Sequence, residues 1–426
     1  MSSTPRIEFT EHRLDNGLRI ILSEDHLAPV VAVNLWYAVG SKHEEPGLTG
    51  LAHLFEHMMF QGSRSVAKAE HFALITAAGG TLNASTWVDR TNYFETVPSH
   101  QLELALWLEA DRMGGLLDAL GQETLDNQRE VVKNEKRWRV DNRPYGTWDQ
   151  KLQAAIFPEG HHYHHPTIGS MDDIEAASLE DVQAFFRTWY APNNAVLSLV
   201  GDFEPAEALA WIDKHFGPIP ANPSIPAAPE FPLPGLLGTE YRETVIDRVP
   251  LRRIYFGWRC PPAGTPEFPA LMMSSAVLAD GKTSRLYRRL VRERLLAQDV
   301  QLGPFEWAAG ASMMIGWVTA RPEVGTEQLE AAFHEVVDEL VREGPTDEEL
   351  GRARATAERE ELEELSKTAE RADRLSMYAT LFGDPGKVNN RLPALLAVTG
   401  DQIREASAGI FRSDNRVVLI YEPAAA

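Results

Sequence analysis

The chain has 426 residues, with 41 Lys and Arg against 62 Asp and Glu, 13 His and one Cys, for a formal net charge of −21. At about 150 residues per domain this length predicts two or three domains, and a composition that is 44% hydrophobic and 24% charged excludes global disorder. The lone Cys260 excludes an intrachain disulfide and a cysteine zinc cluster, and the acidic balance argues against nucleic acid, which needs a basic face. The charge leaves two readings open, attraction of a cationic substrate or plain solubility.

In chain order, the first residues, MSSTPRIEFTEHRLDNG, contain no basic segment followed by an apolar one. Nowhere do 18 uncharged apolar residues run together, so no membrane span is expected. The expectation is a cytoplasmic protein; a periplasmic chain trimmed of its leader reads the same. An Asp15-Asn16-Gly17 turn precedes a strand at 18–22, and a second strand follows at 30–39. Residues 49–60, 102–117 and 125–140 have helical spacing. Residues 216–238 carry seven prolines between Pro218 and Pro234, which predicts an extended linker. Beyond it, 328–341 and 346–376 are helical, and runs such as EREELEEL read as solvated faces.

The two halves end alike. Residues 178–205 read SLEDVQAFFRTWYAPNNAVLSLVGDFEP and residues 399–423 read TGDQIREASAGIFRSDNRVVLIYEP. Setting Tyr190 against Phe411 aligns Asn194 with Asn415 and Val196 with Val417 without a gap, each as helix, polar turn and apolar strand. A duplicated α+β domain follows, with boundaries at 1–215, 216–238 for the linker, and 239–426.

The chemistry-bearing residues lie in LAHLFEHMMF. His53 and His57 are four apart, so both imidazoles lie on one helix face and can reach one ion, with Glu56 at its flank. Two neutral nitrogens suit Zn²⁺, which keeps one position open in catalytic sites, and an adjacent carboxylate can take the proton of an activated water and pass it to a leaving amine. The alternative, a pair of surface histidines, fits poorly because Leu54, Phe55, Met58, Met59 and Phe60 surround them with apolar side chains. A third ligand, most simply a carboxylate, has to come from another helix. A second metal at His161, His162, His164 and His165 is not expected, because their spacing fits no standard zinc pattern.

HLFEH is the inverted zinc motif of the M16 metallopeptidases, and the whole chain resembles the shorter two-domain members of subfamily B, including the mitochondrial processing peptidase. The resemblance implies two homologous domains, each a mostly antiparallel sheet flanked by helices, facing each other around a chamber. It implies one Zn²⁺ held by His53, His57 and Glu135, with Glu56 as general base. Glu135 ends an R-x-V-V-x-x-E pattern with Arg129, Val131 and Val132, 78 positions after His57; Glu130 is its nearest competitor. Where the family often has an acid seven residues before the ligand, this chain has Gln128, whose amide can still hold a hydrogen bond behind the ligands. Asn83, Ala84 and Ser85, in GGTLNAST, match the strand that pairs with an extended peptide substrate; the residues alone read as a hairpin with a Gly-Gly turn.

The second half has one histidine, His334, and no H-x-x-E-H. The family's Arg and Tyr, which help hold the substrate carbonyl, correspond to Val291 and Gln298 here, so both are absent. The resemblance therefore implies a zinc endopeptidase that acts as the catalytic subunit of a heterodimer, its partner a homologous subunit carrying the Arg/Tyr pair. The alternative is a non-catalytic or peptide-binding scaffold subunit.

Overall fold

The computed structural model describes residues 6–227 and 232–424. The chain divides into two compact units, one of Met1–Glu135, His165–Pro229 and Leu362–Asn390, the other of Lys136–His164, Glu230–Glu361 and Arg391–Ala426. Neither unit is one continuous half of the sequence, so the compact units depart from boundaries at 215 and 239. The strands are β1 (Thr10–Arg13), β2 (Arg19–Glu24), β3 (Val30–Tyr37), β4 (Thr81–Thr86), β5 (Thr91–Pro98) and β6 (Ala195–Gly201) in the first unit. The second unit holds β7 (Tyr241–Asp247), β8 (Arg253–Cys260), β9 (Ala297–Pro304), β10 (Ser312–Ala320) and β11 (Arg416–Pro423). The helices run α1 (Leu51–Met58), α2 (Glu70–Ala77), α3 (Leu102–Ala119), α4 (Gln122–Lys136), α5 (Trp148–Ile156), α6 (Met171–Ala176) and α7 (Leu179–Trp189). They continue as α8 (Pro205–Phe216), α9 (Phe268–Ala279), α10 (Thr326–Glu343), α11 (Asp347–Leu365), α12 (Thr368–Phe382), α13 (Arg391–Ala397) and α14 (Gly400–Ile410).

The first sheet has the order β1-β2-β6-β3-β5-β4 and the second β7-β11-β8-β10-β9. Leaving out β1, the two orders are the same. The strand that closes each half, β6 or β11, pairs parallel with the first strand of its repeat and antiparallel with the next. The duplicated ends match in detail. Ser178 and Thr399 each cap their helix and form a capping box, with Asp181 and with Gln402. The aligned asparagines do the same work: Asn194 Nδ2 donates to the Trp189 carbonyl (2.8 Å) and Asn415 Nδ2 to the Ile410 carbonyl (3.0 Å). An amide that satisfies a carbonyl at a helix end fixes the turn into the following strand.

Side chains on the strands alternate between two apolar layers. Val31, Val33, Leu35 and Tyr37 of β3, with Leu197 and Leu199 of β6, face one core built with α1, α3, α7 and α8. Ala32, Val196 and Val200 face the other way, against Ala372, Leu375, Tyr378 and Ala379 of α12. Burial on both faces explains why β3 reads as a nearly continuous apolar run, VVAVNLWY. Helix α12 comes from the second half of the sequence yet belongs to the first unit. The expected helix over 346–376 is therefore two helices: the Ser366 hydroxyl takes up the Glu363 carbonyl (2.7 Å) and Lys367 is extended, which ends α11 and starts α12 afresh. Conversely, α5 from the first half packs in the second unit on β8 and β11, where Gly257 leaves room for Leu152 and Ile156; a Cβ there would meet Ile156 Cδ1 at 2.8 Å. The described parts of the linker after Phe216 hold neither helix nor strand, as expected; 228–231 lie outside the described residues.

Candidate metal centre and sheet edge

Helix α1 is buried along Leu51, Ala52, Leu54, Phe55 and Met58, while His53, Glu56 and His57 are only half-buried. The apolar face anchors the helix in the core, so its polar residues are presented together on the remaining face. The N-terminus is set by a buried carboxylate. Glu44 accepts from the Gly50 amide (2.9 Å) and the Ala52 amide (2.7 Å), and from His165 Nε2 (2.8 Å). Burial pushes the Glu44 carboxyl up, against the pull of His165 and the two amides. Gly50 has φ +89°, a left-handed turn that brings the chain into α1. Sequence reasoning did not single out Glu44, whose only local signal was an acid a few residues ahead of a helix start, and it weighed His165 only as one of the loop histidines, not as a partner of Glu44.

Glu135 is brought to the histidines by α4. Val132 of its pattern is fully buried, and Arg129 donates from two nitrogens to the carbonyls of Ile174 (2.9 Å) and Ala177 (2.6 Å) at the end of α6. Helix α6 is in turn tied to the approach to α1, where the Asp173 carboxylate accepts from the Thr49 amide (3.0 Å) and hydroxyl (2.5 Å). The result places Glu135 Oε2 3.2 Å from His57 Nε2 and 3.8 Å from His53 Nε2. One ligand atom from each of the three residues lies within 4.8 Å of the others. Two imidazoles and a carboxylate converging in a half-buried site are the donor chemistry that Zn²⁺ takes. Glu130 is exposed and pairs with Lys133 (2.8 Å), away from this cluster. Gln128 is buried on α4, seven residues before Glu135 and thus on nearly the same face.

Glu56 points to the sheet. Its Oε2 accepts from the Thr86 hydroxyl (2.5 Å) at the end of β4. Burial raises its carboxyl above the ordinary range, opposed by that hydrogen bond and by His57. β4 is the terminal strand of the first sheet, so Asn83, Ala84 and Ser85 lie on an edge. Asn83 Oδ1 accepts from the Ala84 amide (2.9 Å), and Ser85 Oγ donates to Asn92 Oδ1 (2.7 Å). The hairpin turn falls at Trp87–Arg90 rather than at Gly79-Gly80, which instead leads from α2 into β4.

The histidine-rich loop packs through ring contacts and side-chain hydrogen bonds to backbone. His161 is buried against Phe157, with ring centroids 5.0 Å apart, and burial pushes it down to about 4. His164 Nδ1 meets the Phe157 carbonyl (2.8 Å). Among the described residues these histidines form no metal-capable group. In the second unit Val291 is buried in a π-helical turn, and Gln298 is exposed on the terminal strand β9.

The two histidines and the glutamate form a group that could hold a metal ion, and Glu56 links that group to the edge strand β4. The insulinase (peptidase family M16) sequence model matches residues 19–165, and the model described as the peptidase M16 inactive domain matches residues 176–357. The chain belongs to peptidase family M16. It is 28% identical over 397 residues to zinc protease PqqE of Helicobacter pylori, across 92% of this chain and 88% of the relative. It superposes on the crystal structure of a protease from Helicobacter pylori with a TM-score of 0.92 at 25% identity, over 98% of this chain and all 100% of that one. A Pseudomonas fluorescens structure titled as a peptidase M16 inactive domain shares the fold, with a TM-score of 0.86 at 18% identity over 99% of each chain. Among the described residues no helix is long and apolar enough to cross a membrane.

Proposed function

We propose that this chain is a zinc-dependent endopeptidase for extended peptides and the catalytic subunit of a two-chain enzyme. The observation that carries the reading is the convergence of His53, His57 and Glu135 with Glu56 beside them, next to the edge strand β4. Zinc, when bound, supplies a Lewis acid that acidifies water and polarises a carbonyl. The other steps belong to the chain. β4 offers backbone groups at Asn83, Ala84 and Ser85 that align a peptide as an added strand. Glu56 takes the proton of the attacking water and returns it to the amine that leaves; burial raises its carboxyl above the ordinary range, which makes it a stronger base than an exposed carboxylate.

The two-chain reading is supported by Val291 and Gln298, which stand where the resemblance implies Arg and Tyr. Missing one donor to a developing oxyanion typically lowers the rate by about 10²–10³. The test is hydrolysis of an unstructured peptide by the zinc-loaded chain, before and after a chelator and after zinc is restored. Slow cleavage that follows the metal supports the reading. No cleavage together with peptide binding that survives the chelator favours the scaffold alternative, and a rate typical of complete peptidases removes the need for a second chain.

A further inference from the structure

The edge strand and Glu56 are tied to a residue from the far half of the sequence. Asp373 lies on α12, and its Oδ1 accepts from three side chains of the first sheet: Asn34 Nδ2 (3.1 Å), Trp36 Nε1 (2.9 Å) and Asn92 Nδ2 (3.0 Å). Asn34 and Asn92 are buried at 2% and 1% exposure, so these bonds are not exchanged freely for water. Asn92 turns its other end to β4. Its Oδ1 accepts from Ser85 Oγ (2.7 Å) and from an Arg90 guanidinium nitrogen (2.9 Å). The same nitrogen donates to the Ser85 carbonyl (2.7 Å) and hydroxyl (2.5 Å), and the guanidinium lies over the Trp36 ring, 4.8 Å from its centroid. The next residue after Ser85 is Thr86, whose hydroxyl holds Glu56.

Asn92 is the hinge of this chain of bonds. An amide can turn over and exchange its donor and acceptor ends. A carboxylate can only accept and a guanidinium can only donate, so Asp373 and Arg90 together oblige Asn92 to point its NH₂ toward α12, where it also donates to Asn34 Oδ1 (3.2 Å), and its oxygen toward β4. That orientation gives Ser85 and Arg90 an acceptor, and it fixes the end of β4 where Thr86 meets Glu56.

We propose that Asp373 is a positioning residue: it sets the Asn92 amide and through it holds Ser85, Arg90 and the Thr86 hydroxyl in the arrangement that orients Glu56 and the peptide-pairing edge. Its catalytic consequence rests on the peptidase reading; its consequence for β4 does not. The experiment compares Asp373→Ala and the isosteric Asp373→Asn with Ser376→Ala, a control on the same helix whose buried hydroxyl bonds Ser198 (2.7 Å) and the backbone carbonyl of Asn34 (3.4 Å) but none of the side-chain groups of the network. Hydrogen exchange of the full chain should quicken about tenfold over residues 81–92 in the alanine variant, and less in the asparagine variant, while the control keeps the wild-type rate. Wild-type exchange in both Asp373 variants, or equal quickening in the control, overturns the proposal.

Zinc content should stay at the wild-type level, and kcat for an unstructured peptide should fall at least tenfold in the alanine variant. Adding Thr86→Val to that variant should lower kcat by less than threefold more, because both changes break one chain of contacts. Losses that multiply fully count against it. A zinc-loaded wild type that cleaves nothing defeats the peptidase reading instead, and exchange over 81–92 then decides the proposal alone.

Discussion

Among the described residues the first unit contains two groups of histidine and glutamate whose ligand atoms come together, and they are built to opposite ends. His53, His57 and Glu135 are half-buried on two helices. His71, Glu95 and Glu109, from α2, β5 and α3, are fully buried. The second group carries its own cation. Arg112, one turn after Glu109 on α3, donates to Glu109 through Nε (2.9 Å) and a second nitrogen, and lies between the rings of Tyr93 (4.2 Å) and Phe60 (5.1 Å). Burial pushes Glu109 up to about 8 and raises Glu95, while it pushes His71 down to about 3. Two carboxyls sharing one proton, an arginine and a neutral imidazole then sum to no net charge, which a dry interior favours. The same residue types leave room for an ion where a site is half-buried and close on an arginine where a cation already fills that place.

The comparison can be broken at either cluster. The largest effect is expected at Glu56. Glu56→Gln keeps the size and the metal residues but removes the base, so peptide cleavage should fall about 10³-fold with zinc content unchanged; retained cleavage would take Glu56 out of the mechanism. Arg112→Met leaves a buried carboxylate unpaired, which should destabilise the fold by about 3–5 kcal/mol, measured by urea unfolding. The folded fraction should still bind zinc in full, and a loss of zinc from that fraction would mean that the buried cluster is the metal site. Zinc at a hundred times its dissociation constant stabilises a protein by about 2.7 kcal/mol. Glu135→Ala should lose most of that increment in thermal unfolding, whereas a full increment would point to a ligand other than Glu135.

The two clusters also differ in how far the sequence discloses them. His53, Glu56 and His57 share one short helix, so spacing alone brings them together. Glu135 was legible only through a family pattern, because its approach depends on Arg129 gripping the end of α6. The repeat was legible because helix, asparagine turn and strand recur with the same local bonds. The return of α12 to the first unit was not, since no local signal says which sheet an amphipathic helix will cover. For the same reason Asp373 went unnoticed, as did His71, Glu95, Glu109 and Arg112, which meet only after α2, α3 and β5 pack.

The smallest expected effect is a dependence on pH, and its sign separates a proton from a metal in the buried cluster. Glu109 has its folded pKa raised to about 8 from an ordinary 4.5. Between those values the folded state keeps a proton that the unfolded chain has lost, so this group's stabilisation is full below pH 4.5 and is lost as pH climbs toward 8. His71 works the other way: lowered to about 3 from 6.5, it contributes stability above pH 6.5 that is lost as pH falls. His71 adds a slope of opposite sign that fades above pH 6.5, and the difference between wild type and Glu109→Gln isolates the carboxyl. That difference should fall by roughly 1 kcal/mol per pH unit between pH 6.5 and 8, flattening as pH nears 8, read from urea unfolding at several pH values. Parallel curves would place the proton elsewhere. A zinc ion bound at His71, Glu95 and Glu109 would reverse the slope, because its ligands bind it only after losing their protons.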